Sequence, residues 1–325
     1  MGSADYPPPI ESRIGAGRFA PSPTGDLHLG NLRTALIAWL SARTQGLAFL
    51  VRMENLDIIT SSRAHETAQL RSLAELGMDW DGTIVRQSER FEIYNDAIRR
   101  LIDADLTYEC FCSRREIRDA ISAPNGPPTT ESFYPGTCRT LTTAQRHAFM
   151  DEGRNPALRL RANGHIEVVD DDFCGRYDGV VDDVVLRRND GVPAYNLAVV
   201  VDDHLQGVTE VVRGNDLRAA TPSQVHLQRT LGFATPSYRH VPLVLNTVGK
   251  RLAKRDGAVT IAQLNAAGVH TTIILQGLAV SIGYTEISNV DTASDLLANF
   301  DLARIPRGPW RYEADLQRSH GGNYG

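Results

Sequence analysis

Apolar side chains at Leu29, Leu32, Leu36, Trp39 and Leu40 recur at spacings that hold them on one face of a helix, with Asn31, Arg33 and Arg43 on the other. Ahead of this stripe the chain reads as a short strand from about residue 17, which Pro21, Pro23 and Gly25 break into a turn before the helix begins near His28. Behind it, LAFLVRM at 47–53 is a dense apolar run of the kind that fills a buried parallel strand. Helices are predicted over 62–77 and 89–104, separated by Asp79-Trp80-Asp81-Gly82. From 157 to 188 the chain turns β-rich in ALRLRA, HIEVVDD and DDVVLRR, punctuated by Gly164, Gly175 and Gly179. VTEVV is an apolar strand ending at Arg213, RHVPLVLN (239–246) reads as one further strand, and helices are predicted over 260–267 and 270–282. An α/β fold around a parallel sheet follows.

Composition changes this picture little. At 325 residues the chain has room for two domains, or one domain with a large insertion. No window approaches the roughly 18 uninterrupted apolar residues of a membrane span, and the N-terminus lacks a basic region followed by an apolar core, so a cytoplasmic location is expected. Tyr6 stands where a myristoylation signal needs Ser or Thr, and the first dozen residues, with Pro7, Pro8 and Pro9, read as a loose tail. A formal charge of −5 argues against a generally basic nucleic-acid protein. It leaves room for local basic surface, and Arg99, Arg100, Arg114, Arg115 and Arg118 form one group and Lys250, Arg251, Lys254 and Arg255 another. Taken alone, each group reads first as a solvated helix face or loop.

Three stretches carry candidate chemistry. At the helix start, unpaired backbone N–H groups and the positive end of the macrodipole meet where Gly30 permits close approach, which suits a phosphate chain beside the His28 imidazole. Any α/β protein offers the same strand, loop and helix, so this alone leaves nucleotide binding open. Arg52, Glu54 and Asp57 follow the buried strand at its carboxyl end, where open α/β sheets gather polar ligands, although Ser61, Ser62 and Glu66 beyond them also read as a helix-capping cluster. Cys110 and Cys112, a loop rich in Pro and Gly (124–136) and then Cys138 make a two-plus-one thiol grouping. It suits tetrahedral zinc as well as it suits free buried thiols; no His or Cys lies inside the loop, His147 is nearby and Cys174 more distant.

The stretch RFAPSPTGDLHLGNLRTAL (18–36) resembles the signature of class I aminoacyl-tRNA synthetases of the glutamyl branch, in which Arg-Phe-Ala-Pro-Ser-Pro-Thr-Gly leads into His-Leu-Gly. Asn31 stands where the superfamily's His-X-Gly-His form has its second histidine. The likeness runs over about 18–260. Arg52, Glu54 and Asp57 match Arg-X-Glu-Asp-Thr-Asp with Asn55 for the first Asp, and YNLAVVVDD (195–203) is similar to Tyr-Asn-Phe-Ala-Val-Val-Val-Asp-Asp. Arg251-Leu252-Ala253-Lys254-Arg255 occupies the place of Lys-Met-Ser-Lys-Ser and keeps the second lysine. Cys-X-Cys followed after a long gap by Tyr-X-X-X-Cys resembles the zinc site of one subfamily, the glutamyl-queuosine tRNA(Asp) synthetases, where tyrosine is the fourth ligand. By that likeness Cys110, Cys112, Tyr134 and Cys138 would hold one structural zinc.

The resemblance implies a Rossmann-type parallel sheet split by a zinc-containing, acceptor-stem-like insertion, with a short helical C-terminal region. The implied segments are a tail (1–16), a first half (17–104), the insertion (105–188), a second half (189–246), and a Lys-Met-Ser-Lys-Ser-like loop with the C-terminal helices (247–325). It implies ATP with Mg²⁺ and L-glutamate as substrates. Arg18, Phe19, Ala20, Pro21, Ser22, Glu54, Tyr195 and Arg213 would line the glutamate pocket, with Glu54 on the α-ammonium and Arg18 and Arg213 on the two carboxylates. His28, Gly30, Asn31, Arg251 and Lys254 would hold ATP, His28 and Lys254 being the catalytic pair, while Asp202, Asp203, His204 and Asn215 to Leu217 would support the site. Residues 259–325 are too few for a large anticodon-binding region, so glutamate is expected to go to queuosine in tRNA(Asp), from a monomer. The rival expectations are a truncated glutamyl-tRNA synthetase charging the tRNA 3′ end and a non-catalytic tRNA-binding relic of the fold.

Overall fold

The computed structural model describes residues 15–121, 133–246, 249 and 259–312. Its first elements are β1 (Ala16–Phe19), α1 (Leu29–Thr44), β2 (Ala48–Met53), α2 (Arg63–Glu75), β3 (Val85–Arg86) and α3 (Phe91–Asp103). The middle of the chain holds β4 (Thr107–Cys110), α4 (Arg114–Ile121), α5 (Thr143–Asp151), β5 (Ala157–Leu160), β6 (Ile166–Val169), β7 (Tyr177–Val180) and β8 (Val185–Arg187). Then come α6 (Tyr195–Leu205), β9 (Val208–Gly214), α7 (Thr221–Leu231), β10 (Ser237–Val241), β11 (Val244–Leu245), α8 (Ile261–Ala266), α9 (Thr271–Ser281) and β12 (Trp310–Arg311).

The main sheet is parallel in the order β10-β9-β1-β2-β3. Early strands run outward from β1 on one side and late strands from β9 on the other, so the strand order reverses between β1 and β9. Such a switch point opens a crevice at the carboxyl ends of the strands. The intervening chain builds a separate antiparallel sheet, β4-β5-β8, and a β6–β7 hairpin that packs on α7. One apolar core joins α1 to the sheet and to α9; a second joins α3, α6, β5 and β8.

Two expectations fail for physical reasons. Arg33, placed by periodicity on the open face of α1, is 1% exposed. Its guanidinium donates to Ser281 Oγ (3.1 Å), Ser281 O (3.1 Å) and Pro242 O (2.8 Å), so it satisfies one carbonyl at the C-terminus of α9 and one between β10 and β11, and burial draws its pKa down to about 10. The single strand expected over 239–246 is broken at Pro242, which has no N–H for a ladder; β10 ends at Val241, and β11 pairs in parallel with β12 instead.

Candidate active site

A cavity of about 550 Å³ occupies the crevice. Arg18 and Phe19 reach it from the end of β1, Ala20, Pro21 and Ser22 from the following loop, and His28, Gly30 and Asn31 from the start of α1. Glu54 enters from just past β2, Tyr195 from the first turn of α6, and Arg213 from the end of β9. The described candidates for substrate contact thus meet in one place. Arg251 and Lys254 lie outside the described residues; Val244 lines the cavity, and Val259 O accepts from Leu29 N (3.1 Å) at the start of α1.

The loop after β1 is pinned by backbone chemistry that the sequence did not advertise. Gln69, 1% exposed on α2, donates from Nε2 to Ser22 O (3.0 Å) and Gly25 O (2.7 Å). Glu54 N donates to Pro21 O (2.9 Å) and Ser62 N to Pro23 O (3.0 Å). His28 caps α1: Nδ1 accepts from Gly30 N (3.1 Å) and Asn31 N (3.3 Å), while Asn31 Oδ1 accepts from His28 N (3.3 Å). An accepting Nδ1 leaves the ring proton on Nε2, which makes that atom a donor.

Below the cavity lies a buried ionic network. Arg52 is fully buried and bonds Asp203 (2.7 Å), Gln206 (2.9 Å) and Glu54 (3.4 Å), with Asp202 at 3.8 Å. Arg18 Nε also reaches Asp203 at 3.4 Å. Against the cost of burial, Arg52 and Arg18 hold the Asp203 carboxyl below the usual carboxylate range. For Glu54 the balance reverses: burial, helped by the neighbouring Asp203 carboxylate, raises its pKa against the lowering by Arg52 and Arg18, so its carboxylate is under-compensated. The grouping of Arg52 and Asp57 with the substrate does not hold. Arg52 supports from beneath, because Asp202 and Asp203 on α6 enclose it, and Asp57 is exposed in a turn, bonded to Thr60 Oγ1 (2.8 Å) and Ile59 N (3.2 Å).

Arg213 is 5% exposed, and among the described residues its bonding partners are neutral: Thr221 Oγ1 (2.7 Å), Gln224 Oε1 (2.8 Å), His240 Nε2 (3.0 Å) and Leu217 O (3.4 Å). His240 accepts from Arg213 Nε and therefore carries its proton on Nδ1, which meets Asp171 Oδ2 at 2.5 Å. Burial keeps the His240 pKa below its ordinary value, and both His240 and Asp171 are buried. Sequence reading missed Asp171 and His240. The usable signal was register, since His240 lies opposite Arg213 in the β9–β10 ladder.

With this geometry in place, the comparisons are decisive. Residues 16–315 match the model of the tRNA synthetases class I (E and Q), catalytic domain. The chain belongs to this family. A glutamyl-Q tRNA(Asp) synthetase of Nocardia farcinica is 55% identical to it over 91% of this chain and 92% of its own. The glutamate–tRNA ligase 1 of Alkalilimnicola ehrlichii is 39% identical over 89% of this chain but 61% of its own length. The crystal structure of a glutamate tRNA ligase from Elizabethkingia meningosepticum, in complex with its amino acid, superposes with a TM-score of 0.78 at 27% identity, covering 94% of this chain and 68% of that one. The synthetase resemblance carried by residues 18–36 is borne out, and the chain is a ligase of the aminoacyl-tRNA synthetase type. Among the described residues no helix is long and apolar enough to cross a membrane.

Away from the cavity, the synthetase gathers Cys110, Cys112 and Cys138 with their sulfurs within 4.8 Å of one another. The Tyr134 hydroxyl sits 3.3 Å from Cys110 Sγ and 3.4 Å from Cys112 Sγ, and Cys112 Sγ lies 3.4 Å from Cys138 Sγ. A tetrahedral zinc with bonds of about 2.3 Å to sulfur has edges of about 3.8 Å, so this donor set fits one. The Arg159 guanidinium lies over the Tyr134 ring at 3.8 Å and favours negative charge nearby. Hydrogen bonding with Cys110 lowers the Cys138 pKa to about 6, while the bond to Cys138 and burial push Cys110 up to about 12. Cys174 is apart from this group and donates from Sγ to His240 O (3.1 Å).

Proposed function

We propose that the synthetase activates L-glutamate with MgATP to glutamyl-adenylate and transfers the glutamate to the cyclopentenediol of queuosine in the anticodon of tRNA(Asp). The observation that carries the reading is the charge pattern of the cavity's inner wall, where the buried guanidiniums of Arg18 and Arg213 and the under-compensated carboxylate of Glu54 line the same space, while Asp26 and Asp216 line it from exposed positions. That is the complement of an amino acid with two carboxylates and one ammonium. The queuosine acceptor rests on relatives named glutamyl-Q tRNA(Asp) synthetase.

In this reading Glu54 takes the α-ammonium, Arg18 and Arg213 share the carboxylates, and Tyr195 with residues 19–22 shapes the pocket. His28, Gly30 and Asn31 receive the phosphates at the helix start, and Arg251 and Lys254 neutralise the departing pyrophosphate. The α-carboxylate attacks the α-phosphorus in line, so positioning and charge do the work and no protein nucleophile is needed. One structural zinc on Cys110, Cys112, Cys138 and Tyr134 would fix the loop that follows β4. The enzyme works as a monomer in the cytoplasm, where ATP and tRNA are at hand. Glutamate-dependent exchange of labelled pyrophosphate into ATP, run without tRNA, tests the activation step. Exchange is expected with glutamate and not with glutamine. Strict dependence on added tRNA would favour a glutamyl-tRNA synthetase, and no exchange at all a binding relic.

A further inference from the structure

Strand β6 alternates exposed and inward side chains, yet its inward position at residue 167 holds a glutamate that is 3% exposed. A buried carboxylate must be compensated, and the compensation here is lopsided. Oε2 takes the Arg229 guanidinium from α7. Oε1 faces two imidazole nitrogens instead, His226 Nδ1 at 3.1 Å and His165 Nε2 at 3.3 Å. Those two rings sit 4.7 Å apart, and the three ligand atoms all lie within 4.8 Å of one another.

The spacing is what a metal would need. Bonds of about 2.0–2.1 Å to nitrogen and oxygen in a tetrahedral site give ligand–ligand edges of about 3.3 Å, which both observed edges to Oε1 approach. Two imidazoles and one carboxylate suit a borderline divalent cation and not Mg²⁺ or Ca²⁺, which want oxygen alone. We propose that His165, Glu167 and His226 form a second metal site, for a cation of the Zn²⁺ or Co²⁺ class, that staples the β6–β7 hairpin to α7. Each imidazole coordinates as a neutral ring by carrying its proton on the other nitrogen, so no proton is left over. Arg229 stays on Oε2 and holds the carboxylate in orientation, as outer-shell partners of metal ligands do. The site joins residues 59 apart in sequence and lies outside the cavity residues, so its role is to fix the hairpin and not to take part in adenylate chemistry.

The test is metal uptake by the full-length protein, stripped of metal and titrated with Zn²⁺ at neutral pH. His165→Ala should lower the number of equivalents bound per chain by one relative to wild type. Its side chain is 51% exposed, so the fold should survive the change. His226→Ala should give the same loss, whereas Cys112→Ser should remove a different equivalent and leave this one. Co²⁺ separates the two sites by colour. The thiolate-to-cobalt charge-transfer band belongs to the cysteine cluster and should persist in His165→Ala, while the weaker visible bands of the second equivalent should vanish. Equal uptake by wild type and His165→Ala overturns the proposal and leaves the three residues as a hydrogen-bonded clasp.

Discussion

Gly30→Ala separates what His28 does for the helix from what it does for ATP. A Cβ on Gly30 would stand 2.9 Å from His28 Cε1 and 3.0 Å from Nδ1, with Val244 Cβ at 3.5 Å beyond, so the imidazole must swing off the helix start. It then gives up both bonds from Gly30 N and Asn31 N. Losing a side-chain cap costs about 1 kcal/mol, while alanine in place of glycine in a helix returns up to about 1 kcal/mol, so the melting temperature should change little. Phosphate binding has no such offset. The Nε2–H donor would be lost from a charged partner, which is worth about 1.5–3 kcal/mol, or roughly a 10- to 150-fold rise in KM for ATP. Pyrophosphate exchange at varied ATP and saturating glutamate reads this directly, with KM for glutamate expected to stay within about twofold. An unchanged KM for ATP would show that His28 serves only as a cap.

Burial raises the Glu54 pKa, and its ionised form is the one that pairs with ammonium. The acid limb of kcat/KM for glutamate should therefore lie above the ordinary glutamate value of 4.5, with activity rising as pH climbs through it; Glu54→Gln should leave only the substrate's own titration, and an unmoved limb would count against the assignment. In the ligand-free protein the same shift favours the folded state below the unfolded-chain pKa and loses that contribution as pH rises through the folded one, measurable as falling denaturant stability. His240→Phe removes the acceptor that orients Arg213, so KM for glutamate should rise by roughly tenfold or more with a smaller change in kcat; His240→Asn should recover part of it, and equal loss in both constants would mean general damage. Tyr134→Phe should weaken zinc retention against a chelator by at least about tenfold if the phenol is a ligand, and full retention would mean that water or another group completes the site.

Much of this was legible in residue order because the period of the apolar positions is set locally. The stripe from Leu29 to Leu40 and the run at 47–53 specify α1 and β2 without help from the rest of the chain. Arg33 was misplaced because its cover comes from Ser281, 248 residues further on, and a periodic pattern says which face is most apolar, not what will close over the other. Arg52 was misplaced for a similar reason. Its counter-charges at Asp202 and Asp203 are matched only when α6 docks, which turns an apparent ligand contact into support. Arg213 was visible as a charge at a strand end, but its orientation by His240 and Asp171 depends on the pairing of β9 with β10. Tyr134 is a local case of the same limit, since spacing alone points to the thiols, the family likeness names the tyrosine, and the fold sets its hydroxyl among them.

The destination of the glutamate is settled most directly with two anticodon stem-loops of tRNA(Asp), identical except for queuosine or guanosine at the modified position. Each is incubated with the enzyme, ATP and labelled glutamate, and the label is mapped after nuclease digestion. Label should appear on the queuosine RNA alone, on the modified nucleoside, and its attachment should weaken with added salt as phosphate contacts are screened. Equal labelling of both stem-loops would contradict the proposed function, and no label on either, with label on the 3′-terminal adenosine of intact tRNA incubated alongside, would make the enzyme a glutamyl-tRNA synthetase.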